Sequence, residues 1–162
     1  YWSEVVKDFS NYYNLSYDNK ILDVGCAKGF MLYDFYKLNS NFYLHGIDIS
    51  KYAIENSVPE IKKKLQVANV MKLPYEDNFF DLVIAINTIH NLDKNECEIA
   101  LKEISRVSKK NAFITVDAFS NEDEKKRMYA WNLTAKTIMS IKDWKKFFSD
   151  SKYNGDFFWF IP

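Results

Sequence analysis

The stretch ILDVGCAKGF, residues 21–30, constrains the fold more than any other part of the chain. Ile21, Leu22 and Val24 read as a buried strand, and Phe30, Met31 and Leu32 as the start of a helix. Between them stand Gly25 and Gly29, two of only four glycines in 162 residues. Glycine permits positive φ and lets backbone come close to a neighbour or a ligand. The helix that follows offers free N–H groups at its N-terminus, a seat for an anion.

The rest of the chain alternates helix and strand. Residues 2–14 read as an aromatic helix, Lys20 to Val24 as the first strand, and Gly29 to Leu38 as the helix after it. Phe42 to Ile47 is the next strand, closed by Asp48, and Ser50 is placed to cap a short helix that Pro59 ends. Leu65 to Ala68 is a short strand. Residues 80–86, FDLVIAI, form a continuous apolar run of the kind buried on both faces of a parallel sheet. Cys97, Ala100, Leu101, Ile104 and Val107 recur at helical spacing and define a helix over 94–108. Ala112 to Val116 is a strand, 122–150 reads as mostly helical, and Phe157 to Ile161 reads as a last strand. Strands separated by helices imply right-handed crossovers. The expected fold class is therefore α/β, a doubly wound, mostly parallel sheet with helices on both faces, in one domain spanning 1–162. Such sheets bind ligands beyond the carboxyl ends of their strands, where the strand order reverses.

Composition suits one packed interior, with 48% apolar residues, and no apolar run approaches the roughly 18 residues of a membrane span. Lys plus Arg is 22 and Asp plus Glu is 22. A formal charge of zero argues against nucleic acid as a partner, since phosphate binding needs a concentrated basic face. Local clusters such as Lys62 to Lys64 and Lys125 to Arg127 sit among acids or near helix ends and read as solvated faces. Cys26 and Cys97 form neither a CxxC pair nor a Cys/His metal spacing, so no metal is expected and a reduced, cytoplasmic setting is the simple inference. Position 1 is Tyr rather than Met, so sequence upstream of it is expected.

The glycine spacing selects among ligands. A dinucleotide loop reads G-x-G-x-x-G, yet counting from Gly25 puts Ala27 and Phe30 at the second and third glycine positions. This count disfavours a nicotinamide-dependent oxidoreductase. The pattern acidic-x-Gly-x-small-x-Gly is met instead, by Asp23, Gly25, Ala27 and Gly29. An acid at the strand end repels a pyrophosphate at close range. Asp48 in LHGIDIS, then ANVMKLPYEDNFFDLVIAI, then EISRVSKKNAFITVDA follow in order. Together, over roughly residues 18–120, these stretches resemble the motifs of the class I S-adenosylmethionine-dependent methyltransferases, of the small-molecule type.

That resemblance implies a Rossmann-like methyltransferase fold with an antiparallel last strand, and S-adenosylmethionine as cofactor with S-adenosylhomocysteine as product. It implies that the loop of Asp23, Gly25, Cys26, Ala27 and Gly29 wraps the methionine end of the cofactor. Asp48, with Ile49 beside it, looks like the acid that accepts from both ribose hydroxyls. Asn69 stands where the family usually has Asp and would offer its carbonyl to the adenine amino group, with the Val70 N–H toward the ring. Asn87 completes the cofactor set. His90 and Asn91 follow the fourth strand, where family members line the space between cofactor and acceptor. His90 and Asp117 are the candidate acid/base groups, against the plainer reading of His90 as a wall or core residue. Relatives that methylate adenine or glutamine nitrogens carry an N-P-P-Y-like stretch, where this chain has Asn87, Thr88, Ile89 and His90.

Aromatic residues make up 17% of the chain, and two segments outside the core strands hold an excess of them. In the family such segments cover the acceptor, so 1–17 and 121–144 are expected to cap its site. Tyr12, Tyr13, Tyr129 or Trp131 is expected to reach a pocket beside His90. The expected function is transfer of a methyl group from S-adenosylmethionine to an O, N or C atom of a small-molecule acceptor. The alternative is a regulatory or scaffold module that binds the cofactor without catalysis.

Overall fold

The computed structural model describes residues 1–162. Its centre is a seven-stranded sheet. The strands are β1 (Lys20–Val24), β2 (Tyr43–Asp48), β3 (Leu65–Val67), β4 (Phe80–Ile86), β5 (Ser108–Phe119), β6 (Met139–Ser140) and β7 (Asp156–Phe160). Their order is β3-β2-β1-β4-β5, and β6 and β7 share the outer edge of β5. Every pairing is parallel. The helices are α1 (Ser3–Tyr12), α2 (Phe30–Leu38), α3 (Lys51–Glu55), α4 (Lys94–Val107), α5 (Glu122–Trp131) and α6 (Ile141–Asp150).

Strand β4 shows why the sheet needs cover on both sides. Leu82 and Ile84 pack with the apolar faces of α1 and α2, whereas Val83 and Ala85 pack with α4 and α6. All four are fully buried, as the period-two alternation of a central strand requires. The helices start where side chains can accept orphan N–H groups. Ser50 accepts from Ala53 (3.1 Å) before α3, Asn121 from Glu124 (2.9 Å) before α5, and Ser140 from Asp143 (3.1 Å) before α6.

One expectation is refined and one corrected. The segment 122–150 is mostly helical, as expected, but as α5 and α6 with an irregular stretch and β6 between them. After Trp131, the Asn132 side chain closes a turn on Ala135 at 2.7 and 2.9 Å. The N–H groups of Lys136 and Thr137 then donate to the His90 carbonyl, each at 3.0 Å. Tertiary hydrogen bonds here replace the helical ones. The last strand is also parallel to β5, not antiparallel, with Phe113 opposite Asp156 and Asp117 opposite Phe160. The reason is the crossover: α6 buries Trp144, Phe147 and Phe148 against the sheet and carries the chain back to the start of β5. A strand entered by such a helical return runs parallel.

The loop between β3 and β4 is held by one guanidinium. Arg106 on α4 donates to Glu103, to Asp77 and to the carbonyls of Leu73 and Tyr75, at 2.7 to 3.0 Å, while Glu103 also accepts from the Leu73 N–H. An ammonium cannot reproduce this planar fork. Arg106→Lys is therefore expected to cost about 1–3 kcal/mol in chemical denaturation and to speed amide exchange at Leu73.

Candidate functional site

The order β2-β1-β4 reverses direction at β1, with α2 leaving on one face of the sheet and α4 on the other. A crevice opens there at the carboxyl ends of the strands. The loop after β1 lines it, with Gly25, Ala27 and Gly29 all at positive φ (78°, 47° and 79°). Gly25 and Cys26 both donate to the Ile47 carbonyl (2.8 and 2.9 Å), and the Gly29 N–H donates to the Cys26 carbonyl at 2.8 Å. Asp48 pins the loop to the end of β2, one carboxylate oxygen accepting from the Ala27 N–H and the other from the Ser50 N–H, both at 2.8 Å. Each oxygen keeps a further lone pair for a ligand hydroxyl.

The chain's own packing requires both glycines. A Cβ on Gly25 would lie 2.1 Å from Thr88 Oγ1, and one on Gly29 would lie 2.3 Å from Ile61 Cδ1. Thr88 cannot easily yield, because its hydroxyl sits 3.0 Å from the Val24 carbonyl and 3.1 Å from that of Ile86.

Three cavities meet at this end of the sheet. The first, about 500 Å³, lies between Asp48, Asn69, Val70, Asn87, Asn91 and Lys136. The second, about 300 Å³, is lined by Asp23, Cys26, Phe30 and Met31, with Trp2 closing it. The two adjoin at Gly25, Ile86 and Asn87. The third, about 680 Å³, lies between α1, β5 and β7 and is mostly aromatic. Ile86 lines all three, and Trp2 lines the second and third.

Asp23 is the most unusual group in the second cavity. It is only 4% exposed, and no donor within the chain satisfies its carboxylate. Burial, and then the Asp48 charge, push its pKa up to about 7. Beside it, α2 begins at Gly29 with no side chain capping its free N–H groups. An unpaired carboxylate next to an uncapped helix start complements an ammonium and a carboxylate together, the two ends of an α-amino acid.

The other sequence-predicted residues divide. Cys26 lies in the interior with Met31 and Leu32, and burial, then Asp23 and Asp48, push its thiol above the usual range. Val70 lines the first cavity, and Ile49 stands exposed at its rim. Asn69 lines it too, with its carbonyl accepting from the Met71 N–H at 2.9 Å. Asn87, at φ 50°, is locked by Thr115, whose hydroxyl accepts from the Asn87 N–H (2.9 Å) and donates to Oδ1 (2.8 Å). Asn91 donates to the Asn87 carbonyl (2.9 Å) and accepts from Thr134 (2.9 Å).

His90 and Asp117 lie outside these cavities, contrary to the acid/base expectation. His90 is 4% exposed, its Nδ1 accepts from the Asp117 N–H at 2.9 Å, and burial holds its pKa down at about 4. Asp117 is buried too, and its carbonyl accepts from Trp144 Nε1 at 2.9 Å. Tyr129 and Trp131 also miss the site. Tyr129 lines a separate surface cleft, and Trp131 packs on Phe160 with ring centroids 5.7 Å apart. Tyr12 and Tyr13 do line a cavity, but it is the one under α1, not one beside His90. Sequence reasoning missed Trp2, Ile86, Thr88, Thr115 and Lys136. The residues that end β4 were accessible to it, because the carboxyl ends of such strands bind ligands. Lys136 carried no signal, since tertiary bonds to His90 bring it to the cavity.

Two measurements test this geometry. Gly25→Ala should destabilise the fold by about 1–3 kcal/mol, and by less in a Thr88→Ala background, since only strain at positive φ then remains. Denaturation of both single variants and the double variant reads this coupling. Asp23 gives a pH dependence. Its carboxyl is about half protonated near pH 7 in the free protein and must ionise against a ligand ammonium. Binding of S-adenosylhomocysteine should therefore release protons at about pH 6 and few at about pH 8. Calorimetry in buffers of different ionisation enthalpy measures the release, and Asp23→Asn should abolish it.

Comparisons with known proteins give the family and the fold. A methyltransferase-domain family model matches residues 15–152. The uncharacterized protein MJ0638 of Methanocaldococcus jannaschii is 32% identical over 114 residues, which cover 70% of this chain and 45% of that protein. The tRNA (carboxymethyluridine(34)-5-O)-methyltransferase of Arabidopsis thaliana is 33% identical over 105 residues, covering 64% of this chain and 25% of that enzyme. The chain thus spans less than half the length of these two relatives. Among solved structures, the YcgJ protein of Bacillus subtilis shares the fold with a TM-score of 0.70 at 18% identity, covering 91% of this chain and 67% of that one. The chain belongs to the methyltransferase-domain family, and the cofactor this implies is S-adenosylmethionine.

Proposed function

We propose that the chain transfers a methyl group from S-adenosylmethionine to an O, N or C atom of a small-molecule acceptor held in the aromatic cavity under α1. The observation that carries this reading is the convergence of that cavity with both cofactor chambers at Ile86. The cofactor supplies a methyl group already activated on sulfonium. The chain's part is then to hold two partners in line and keep water out. Asp23 and the start of α2 take the amino-acid end, Asp48 the ribose, and Asn69 and Val70 the base. Trp2 stands between the amino-acid end and the acceptor space. His90 and Asp117 serve as interior supports that fix the turn after β4, not as acid and base.

The Arabidopsis relative is named for a tRNA substrate. Here the lining of the acceptor cavity holds Asp8 and Asp156 and no basic residue, which favours a small acceptor over a polyphosphate. The test has two parts. S-adenosylmethionine and S-adenosylhomocysteine should raise the melting temperature where NAD does not, with about 2.7 kcal/mol of stabilisation at 100 times the dissociation constant. Production of S-adenosylhomocysteine should then follow small organic acceptors and not tRNA. Turnover with tRNA alone would overturn the reading.

A further inference from the structure

Building on that proposed activity, we infer that the acceptor is an amine, bound as a cation between aromatic walls and the carboxylates of Asp8 and Asp156. The cavity lies between α1 and the edge made by β5 and β7, and twelve residues line it. Its walls include Trp2, Phe9, Phe113 and Phe158. Its only charged lining groups are Asp8 on α1 and Asp156 at the start of β7, facing the cavity from its two sides. Asp156 is fixed in place, because Tyr13 donates its hydroxyl to one carboxylate oxygen at 2.8 Å. The other oxygen accepts no bond from the chain. Tyr13 itself is buried and stays a neutral donor, since burial and then Asp156 push its pKa upward.

This lining sorts acceptors by charge. A carboxylate or phosphate would meet two anions and find no Lys, Arg or His among the lining residues. A neutral alcohol would be accepted by the walls but would leave the charges unanswered. An ammonium gains from both carboxylates and from the ring faces, which attract cations. The chemistry makes the same demand. The acceptor ammonium first gives its proton to solvent. The nitrogen lone pair then forms the N–C bond as the C–S bond breaks, and that bond's electron pair stays on sulfur. The positive charge passes from sulfur to nitrogen, so the cavity that held a cation before transfer holds one after it. Aromatic faces and carboxylates along that path stabilise the moving charge.

Binding and turnover are measured with three probes, each a phenyl ring on a short alkyl chain with a different polar end: phenethylamine, phenylpropanol and phenylpropionate. With the protein loaded with S-adenosylhomocysteine, phenethylamine should bind about tenfold more tightly than either of the others. With S-adenosylmethionine, the product should be N-methylphenethylamine. Asp8→Asn combined with Asp156→Asn should erase the preference for the amine. It should leave phenylpropanol binding and S-adenosylhomocysteine affinity unchanged and the protein folded, because both acids are exposed and an amide oxygen at position 156 can still accept from Tyr13. Equal or tighter binding of the alcohol or the acid overturns the inference, as does a loaded, folded protein that binds no amine. Failure to bind S-adenosylhomocysteine would instead remove the underlying methyltransferase reading.

Discussion

The contact between Gly25 and Thr88 is the joint on which the site depends. Gly25 follows β1 and Thr88 follows β4, the two strands at which the sheet reverses its order. The threonine hydroxyl reaches carbonyls from both strands, and its side chain occupies the space that any Cβ on residue 25 would take. The loop can therefore sit close over the sheet only because one partner is glycine. Asp48 then ties the same loop to β2, so three strand ends are fixed relative to one another. The cavities are what remains between those fixed ends.

A second set of supports lies further out. Arg106 holds the loop after β3 against α4, and so sets the wall that contains Asn69 and Val70. On the other side, the irregular stretch after α5 is bound to the turn at 90–92 through its own N–H groups and the Thr137 hydroxyl. This brings Lys136 to the rim of the first cavity. His90 belongs to this scaffold: its carbonyl receives that stretch and its ring receives the Asp117 N–H. A buried, neutral imidazole used as an acceptor is a structural component.

What the sequence revealed follows from which signals are local. The continuous apolar run of FDLVIAI, the helical spacing from Cys97 to Val107, and the spacing of Asp23, Gly25, Ala27 and Gly29 are short-range patterns, and each maps onto the element it implies. The break after Trp131 was not legible, because it depends on partners more than 40 residues away in the chain, at His90 and Asn91. The direction of β7 was hidden for a related reason. An apolar strand reads alike in both directions, and only the packing of α6 on the sheet decides which way the chain re-enters. The two readings of His90, acid/base group or core residue, could not be separated in sequence, because a chemically versatile side chain near a strand end carries no mark of which way it points; its burial with Asp117 favours the core reading. The aromatic excess was informative at α1, where Tyr12 and Tyr13 face a cavity, and misleading at α5, where Trp131 covers the end of β7.

The shared position of Ile86 limits how such a protein can change its choice of acceptor. A side chain that forms part of three walls cannot be reshaped for one chamber without disturbing the other two. Residues on α1 and β7 such as Tyr12, Phe157 and Phe158 touch the proposed acceptor cavity and neither of the others. Variation in specificity would then collect at the edge of the fold and spare its centre. The proposed cofactor seat could stay constant while α1 and β7 were rewritten around new acceptors.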